Sequence, residues 1–261
     1  MNQLENIRLF LLDMDGTFYL GDRVLDGSRP FVEKIDSLPD CQLAFLTNNS
    51  SKNRRDYVAK LSRMGFSFAD HQVITSGEAA AIYLKRQKPG ARIFLLGTES
   101  LEQEFLDAGF VLTDENPDYA VLGFDLNLTY ERLRRLCDFV RSGVPYIATH
   151  PDFNCPIENG GFIPDTGAMI AFVEASTGKR PLVIGKPNRY IIDSAAEKFH
   201  LPHDRIAMVG DRLYTDIAVG ANSGITSILV LSGETSLKDL EDSDIQPDYI
   251  FQDLGELAEQ L

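Results

Sequence analysis

Two aspartates separated by one residue, in Asp13-Met14-Asp15-Gly16-Thr17, directly follow the apolar run Leu9-Phe10-Leu11-Leu12. In open α/β sheets ligands bind at the carboxyl ends of the strands, so both carboxylates emerge into a crevice. A calcium loop of the EF-hand type is excluded by spacing. Counted from Asp13, its obligatory glycine and glutamate would fall on Phe18 and Val24. On its own the pentapeptide also reads as a polar turn with an aspartate capping the next element. Thr47-Asn48-Asn49-Ser50-Ser51 ends a second apolar run, ahead of a basic stretch starting Lys52-Asn53-Arg54-Arg55. A hydroxyl and backbone N–H groups before a helix make a phosphate cradle, and they equally make an N-cap. Gly185-Lys186-Pro187 places an ammonium in a tight loop after a third apolar run, aimed at an anion or simply solvated. Gly210-Asp211-Arg212-Leu213-Tyr214-Thr215-Asp216 follows a fourth, and Asp211 would share the crevice with Asp13.

Short apolar runs alternate with amphipathic stretches along nearly the whole chain. Strands are expected at 7–12, 42–46, 73–75, 92–96, 119–123, 145–148, 182–184, 205–209, 226–231 and 249–251. Helices are expected between them, for example at 53–64, 78–87, 100–108, 130–141, 168–177 and 189–199. Gly65, Gly109, Gly143 and Gly178 stand where four of these should stop. The rhythm predicts an α/β fold with largely parallel sheets. The four polar motifs lie in 13–49 and 185–216, whereas 79–180 carries its own strand–helix–strand pattern without them. The expected organisation is a Rossmann-like core from 1–78 and 181–261, with 79–180 an inserted α/β domain. The chain would enter the insertion after Gly77 and return near Lys179-Arg180-Pro181.

The chain has 261 residues and a formal net charge of −14. That charge argues against nucleic acid or an anionic membrane as the main partner. No apolar run is long enough to span a bilayer, and residues 1–8 lack a basic region followed by an apolar one. Three cysteines, Cys41, Cys137 and Cys155, show no metal-like spacing, which predicts a reducing, cytoplasmic setting.

Taken in order, D-x-D-G-T, T-N-N, G-K-P and G-D-x-x-x-T-D resemble the haloacid dehalogenase (HAD) superfamily of phosphohydrolases. An α/β insertion between the second and third motifs resembles its class IIA, or C2-capped, branch. Asn48-Asn49-Ser50-Ser51, Thr75-Ser76 and Leu229-Val230-Leu231-Ser232-Gly233 are most similar to the bacterial NagD-like and nitrophenyl-phosphatase group. The resemblance implies a Mg²⁺-dependent phosphomonoesterase acting on a small metabolite. Asp13 would be the nucleophile that forms an aspartyl-phosphate, and Asp15 the general acid and base. Thr47, the backbone of Asn48 and Lys186 would bind phosphate. Asp13, Asp15 through its carbonyl, and Asp211 would hold the metal, with Asp216 supporting them. Such an oxygen-only set suits Mg²⁺, and crowded carboxylates facing a phosphate dianion need a cation. The run from Ala148 to Pro156 resembles the family's specificity loop, with His150, Asp152, Phe153 and Asn154 as candidates for leaving-group contacts. Each of these reads equally as part of a proline-stiffened connection. A homodimer through the cap is a further implication of the resemblance. Against it stands a non-enzyme alternative, a phosphate-ligand sensor or receiver-like protein, which would explain an aspartate cluster and a lysine. It would not explain Asp15-Gly16-Thr17 or an inserted domain. A mutase needs a helical cap between the first two motifs, and Phe18 to Leu46 is too short for one.

Overall fold

The computed structural model describes residues 3–157 and 161–261. The chain runs through β1 (Leu9–Leu12), the short strands β2 (Tyr19–Leu20) and β3 (Arg23–Val24), α1 (Ser28–Ser37), β4 (Gln42–Thr47), α2 (Arg54–Arg63) and β5 (Val73–Thr75). It continues with α3 (Ser76–Gln87), β6 (Arg92–Leu96), α4 (Glu99–Asp107), β7 (Val111–Leu112), β8 (Tyr119–Leu122), α5 (Tyr130–Ser142) and β9 (Tyr146–Ala148). An antiparallel pair follows, β10 (Asn154–Ile157) and β11 (Gly161–Pro164), then α6 (Thr166–Thr177) and β12 (Leu182–Val183). The last third holds α7 (Tyr190–Phe199), β13 (Ile206–Gly210), a π-helical turn (Leu213–Ile217) and α8 (Ala218–Ser223). It ends with β14 (Thr226–Val230), α9 (Leu237–Glu241), β15 (Tyr249–Phe251) and α10 (Leu254–Glu259).

These elements form two compact units. The first contains the described residues up to Thr47, with Val58–Ile74 and Lys186–Leu261. The second contains Asn48–Tyr57 and the described residues of Thr75–Gly185, which include those of the expected insertion.

In the first unit a six-stranded sheet has the order β15-β14-β13-β1-β4-β5. β1 lies parallel to both β13 and β4, and β14 parallel to β13 and β15. Every residue of β1 is buried, because a central parallel strand is covered on both faces and therefore reads as an unbroken apolar run. Each such leucine contributes roughly 1.5–3 kcal/mol of burial. Phe18 packs edge-on against Phe45 and Phe66, with ring centroids 4.9 Å apart in both pairs, closing the core below the first motif.

The second unit is built on a five-stranded parallel sheet in the order β12-β9-β8-β6-β7. α5 shows why its sequence is helical. Thr129 caps its first turn, Leu133, Leu136, Cys137 and Val140 recur on the buried face, and Gly143 ends it at φ 93°.

Helix starts are where the structure moves away from the expectation. α3 begins at Ser76 and α6 at Thr166, two residues early in each case, because Thr75 and Asp165 take the caps. Gly77 accordingly sits in the first turn of α3 and not at the end of an exposed connection. A Cβ there would come within 2.4 Å of both Glu104 Oε2 and Leu101 Cδ1, so the glycine permits α3 to pack closely on α4.

That contact half-buries a carboxyl. Thr75 Oγ1 accepts from Glu78 N and lies 2.9 Å from both oxygens of Glu104. Burial, helped by the charge of Glu78, pushes the Glu104 carboxyl up to about 8, with Thr75 and Arg54 opposing. A carboxyl raised in the folded state keeps its proton while the unfolded chain releases its own. Its contribution to stability therefore falls as pH rises from about 4.5 towards 8. Glu104→Gln, which does not titrate, should raise the melting temperature at pH 8 by roughly 4 °C or more and change it little at pH 4.5. Thermal melts at both pH values check this, and equal differences at the two would remove Glu104 as the source.

Candidate active site

Asp13, Thr47 and Asp211 all stand at carboxyl ends of adjacent strands. Leu12 pairs with Val209 on one side and Phe45 on the other, so the residues just beyond them are in register. Asp13 N donates to Val209 O at 2.9 Å, which fixes the start of the loop. Lys186, which opens the last segment of the first unit, reaches the same place, and its ammonium is the centre of the site. Nζ donates to Asp13 Oδ1 at 2.6 Å, to Asp216 Oδ1 at 2.6 Å and to Leu46 O at 3.1 Å. Three acceptors match the three N–H bonds of an ammonium. Lys186 is only 2% exposed. Burial alone would lower its affinity for the proton, but Asp13 and Asp216 outweigh it and hold the ammonium above its ordinary range.

The carboxylates are equally constrained. Asp216 is fully buried on the π-helical turn, where the wider spiral lets Asp216 and Ile217 both donate backbone N–H to Arg212 O. Its Oδ2 accepts from Arg212 N at 3.2 Å. Burial and the charges of Asp13 and Asp211 push its proton affinity up, against the pull of Lys186. Asp211 accepts from Thr17 Oγ1 at 3.2 Å and from Glu234 N at 2.7 Å. Burial first, then Asp13, pushes it upward as well. Glycine is required on both sides of it. A Cβ on Gly16 would fall 2.3 Å from Asp211 Oδ2, and one on Gly233 would fall 2.0 Å from the same atom. Asp15 is exposed, with Oδ1 accepting from Gly21 N at 3.2 Å. Partial desolvation is the main reason its carboxyl sits above the usual range; Asp13 adds to that, and Lys60 opposes it.

One oxygen from each of Asp13, Asp211 and Asp216 lies within 4.8 Å of the others, with no His or Cys in the cluster. Converging, mutually repelling carboxylates with one ammonium between them fit a hard divalent cation of the Mg²⁺ kind. Asp13 accepts from Lys186 through Oδ1, whereas Asp211 and Asp216 each accept a hydrogen bond on both oxygens, so a cation there would draw on their remaining lone pairs.

Of the residues expected at the site, Asp13, Lys186, Asp211 and Asp216 are thus brought together, and Thr47, buried, ends β4 beside them. Asn48 belongs to the second unit, where its Nδ2 reaches the Asp152 carboxylate at 3.2 and 3.3 Å. The specificity-loop candidates divide. His150 is fully buried, with Nδ1 2.9 Å from Thr149 Oγ1 and Nε2 2.9 Å from Asp165 Oδ1. Burial opposes its protonation, yet Asp165 and Asp152 raise it overall. Phe153 is 63% exposed, and Asn154 is exposed at the start of β10. Sequence reasoning missed the Leu46 carbonyl, the Thr17 hydroxyl and the Gly233-Glu234 backbone. Thr17 stood in the first motif, and Ser232, which donates to Gly16 O at 2.8 Å, marked the last.

A family model for haloacid dehalogenase-like hydrolases matches residues 10–111, and a HAD-hydrolase-like model matches 183–257. The acid sugar phosphatase of Staphylococcus aureus (strain MRSA252) is 37% identical over 99% of both chains. This chain is a haloacid dehalogenase-like hydrolase. The solved 4-nitrophenylphosphatase of Thermotoga maritima shares 51% identity, covers 99% of each chain and superposes with a TM-score of 0.95. A putative NagD protein shares 48% identity over 98% of this chain and 99% of its own, with a TM-score of 0.92. Within the HAD hydrolases the chain is therefore a class IIA, NagD-like phosphatase.

Removing the central cation of this HAD site tests the electrostatics directly. Lys186→Met keeps most of the length of the side chain but leaves Asp13 and Asp216 facing each other without the ammonium between them. We expect a loss of about 3–5 kcal/mol in urea unfolding. Adding Asp216→Asn should recover about half of it, and no recovery would mean that the lysine acts through packing alone.

Proposed function

We propose that this phosphatase hydrolyses small phosphomonoesters (a sugar phosphate, a nucleotide or a similar metabolite) through an aspartyl-phosphate on Asp13, with Mg²⁺ as cofactor. The observation that carries the reading is the buried Lys186 ammonium, which holds Asp13 at the end of β1 beside Asp211. The name of the Staphylococcus aureus relative supports sugar phosphates as the first class to try.

In this reading Asp13 attacks phosphorus in line, and the bond from phosphorus to the ester oxygen breaks. Asp15 gives its proton to the departing alkoxide. Its raised proton affinity suits that role, since an acid must begin the turnover protonated. Water then attacks the phosphorus of the aspartyl-phosphate. Asp15 takes a proton from that water, the Asp13–phosphorus bond breaks, and inorganic phosphate leaves. Lys186 prevents rotation of Asp13 by holding Oδ1, and adds positive charge where phosphate charge accumulates. Thr47 and the peptide N–H of Asn48 would hold the phosphate oxygens. Asp13, the carbonyl of Asp15 and Asp211 would hold Mg²⁺, supported by Asp216. When bound, the ion supplies charge neutralisation and a template for the phosphate oxygens. Phe153 and Asn154 would meet the leaving group, whereas His150, enclosed and bonded at both ring nitrogens, would support the loop. Among the described residues no helix is long and apolar enough to cross a membrane. The cysteine usage, three residues without metal-like spacing, supports our proposal that the enzyme is cytoplasmic. We propose also that it dimerises through its cap.

Phosphate release from a panel of small esters, with Mg²⁺ or EDTA, tests this for wild type and Asp13→Asn. Release should require the metal and fall at least about 1,000-fold in the variant. Substantial turnover by a folded Asp13→Asn protein would remove Asp13 as the nucleophile. Exchanging Phe153 or Asn154 should reorder the esters and leave the metal requirement intact. An equal loss on every ester would make these residues structural.

A further inference from the structure

Asp152 stands in the loop expected to read the leaving group, yet its carboxylate is turned to a different task. Both of its oxygens lie within reach of Asn48 Nδ2, at 3.3 and 3.2 Å. An ionised carboxylate only accepts hydrogen bonds, so the Asn48 amide must present its NH₂ here. Asn48 is 6% exposed and is held from two further directions. Its carbonyl accepts a short hydrogen bond from Ser76 Oγ, at the start of α3. Its Oδ1 lies against Gly185, where a Cβ would come within 2.6 Å of it.

Asp152 is itself anchored. Its carbonyl accepts from Gly167 N at 2.7 Å in the first turn of α6, and a Cβ on Gly167 would fall 2.2 Å from Pro151 O. The next carbonyl, Phe153 O, accepts from Asp165 N at 2.9 Å. Asp165 in turn caps α6 and holds His150. The loop is therefore rigid at the point where it grips Asn48. Every one of these contacts lies within the second unit.

We propose that Asp152 is a positioning residue: by clamping the Asn48 side chain it fixes the direction of the Thr47–Asn48 peptide N–H, and so sets affinity for the phosphate group rather than for the leaving group. The proposal rests on the reading that this peptide binds phosphate. It separates two roles within one loop. Asp152 acts on what all substrates share, and Phe153 and Asn154 act on what distinguishes them.

The test compares wild type, Asp152→Ala and Asp152→Asn by calorimetric binding of inorganic phosphate with Mg²⁺, by kcat/KM on esters with three unlike leaving groups, and by thermal melts. Inorganic phosphate has no leaving group, so a residue that merely touches the leaving group cannot change its affinity. For Asp152→Ala we expect phosphate affinity to fall roughly tenfold or more, the usual weight of a hydrogen bond to a charged group. All three esters should lose kcat/KM by a similar factor, and their order should not change. Asp152→Asn keeps one acceptor oxygen and should recover most of the affinity. Phosphate affinity within twofold of wild type in folded Asp152→Ala overturns the proposal, and a reordering of esters alongside it returns Asp152 to leaving-group recognition. If Asp152→Ala does not fold, Asp152→Ser, which is equally too short to reach Asn48, is read in the same way. Wild type that neither binds phosphate nor releases it from any ester overturns the underlying reading instead, an outcome distinct from a normal wild type with an unaffected variant.

Discussion

A lysine ammonium taken out of water between one buried and one half-buried carboxylate is the constraint around which the first unit is arranged. Desolvating one ion costs several kcal/mol even after relaxation, so Lys186 remains charged only because every direction around it is supplied. Asp13 comes from the end of β1, Leu46 O from the end of β4, and Asp216 from the turn after β13. Those ends must coincide to within tenths of an ångström, and parallel register delivers that. Leu12 stands opposite both Phe45 and Val209, so three chain segments leave the sheet at one level. The glycines at 16, 210 and 233 follow from the same demand. Each lies where backbone approaches an aspartate too closely for a Cβ, within 2.0–2.3 Å.

Such crowding has a chemical consequence. Asp211 and Asp216 are pushed towards protonation by burial and by their neighbours, and Lys186 with Arg212 supplies two positive charges against the three carboxyl groups of Asp13, Asp211 and Asp216. The site is thus short of positive charge before any phosphate arrives. A phosphate dianion alone would make this worse, and a divalent cation with oxygen ligands relieves it. The same electrostatics that makes the protein's overall charge of −14 unfavourable for anions makes the local arrangement of Lys186 and the carboxylates decisive.

The second unit manages burial differently. His150, Asp165, Thr149, Ser76 and Ser50 form a buried polar network in which each member has a partner. A fully satisfied network of this kind specifies one loop conformation, because any alternative leaves a buried group unpaired. It ties the loop after β9 to the start of α3 and to Asn48, so the segment that follows β4 belongs to the second unit although β4 belongs to the first.

The apolar runs, the alternation of elements and the four polar motifs were all legible in the chain itself, because they depend on local periodicity and on residue types placed just after strands. Gly143 and Gly178 could be placed for the same reason, since a left-handed helix cap is a local requirement. The strands β2, β3, β7, β10 and β11 were not read: Pro156 and Pro164 stand in the β10–β11 pair, and the other three are two-residue strands that exist through their pairing and not through propensity. Nor were the early starts of α3 and α6, whose caps are rewarded by contacts to Glu104 and His150 far along the chain. Residue type alone marked His150 and Asp152 as polar groups in one loop. Which of them would be enclosed and which would hold Asn48 was decided by tertiary packing, because a hydrogen bond between residues 104 positions apart is set by where the backbone folds and leaves no spacing to read.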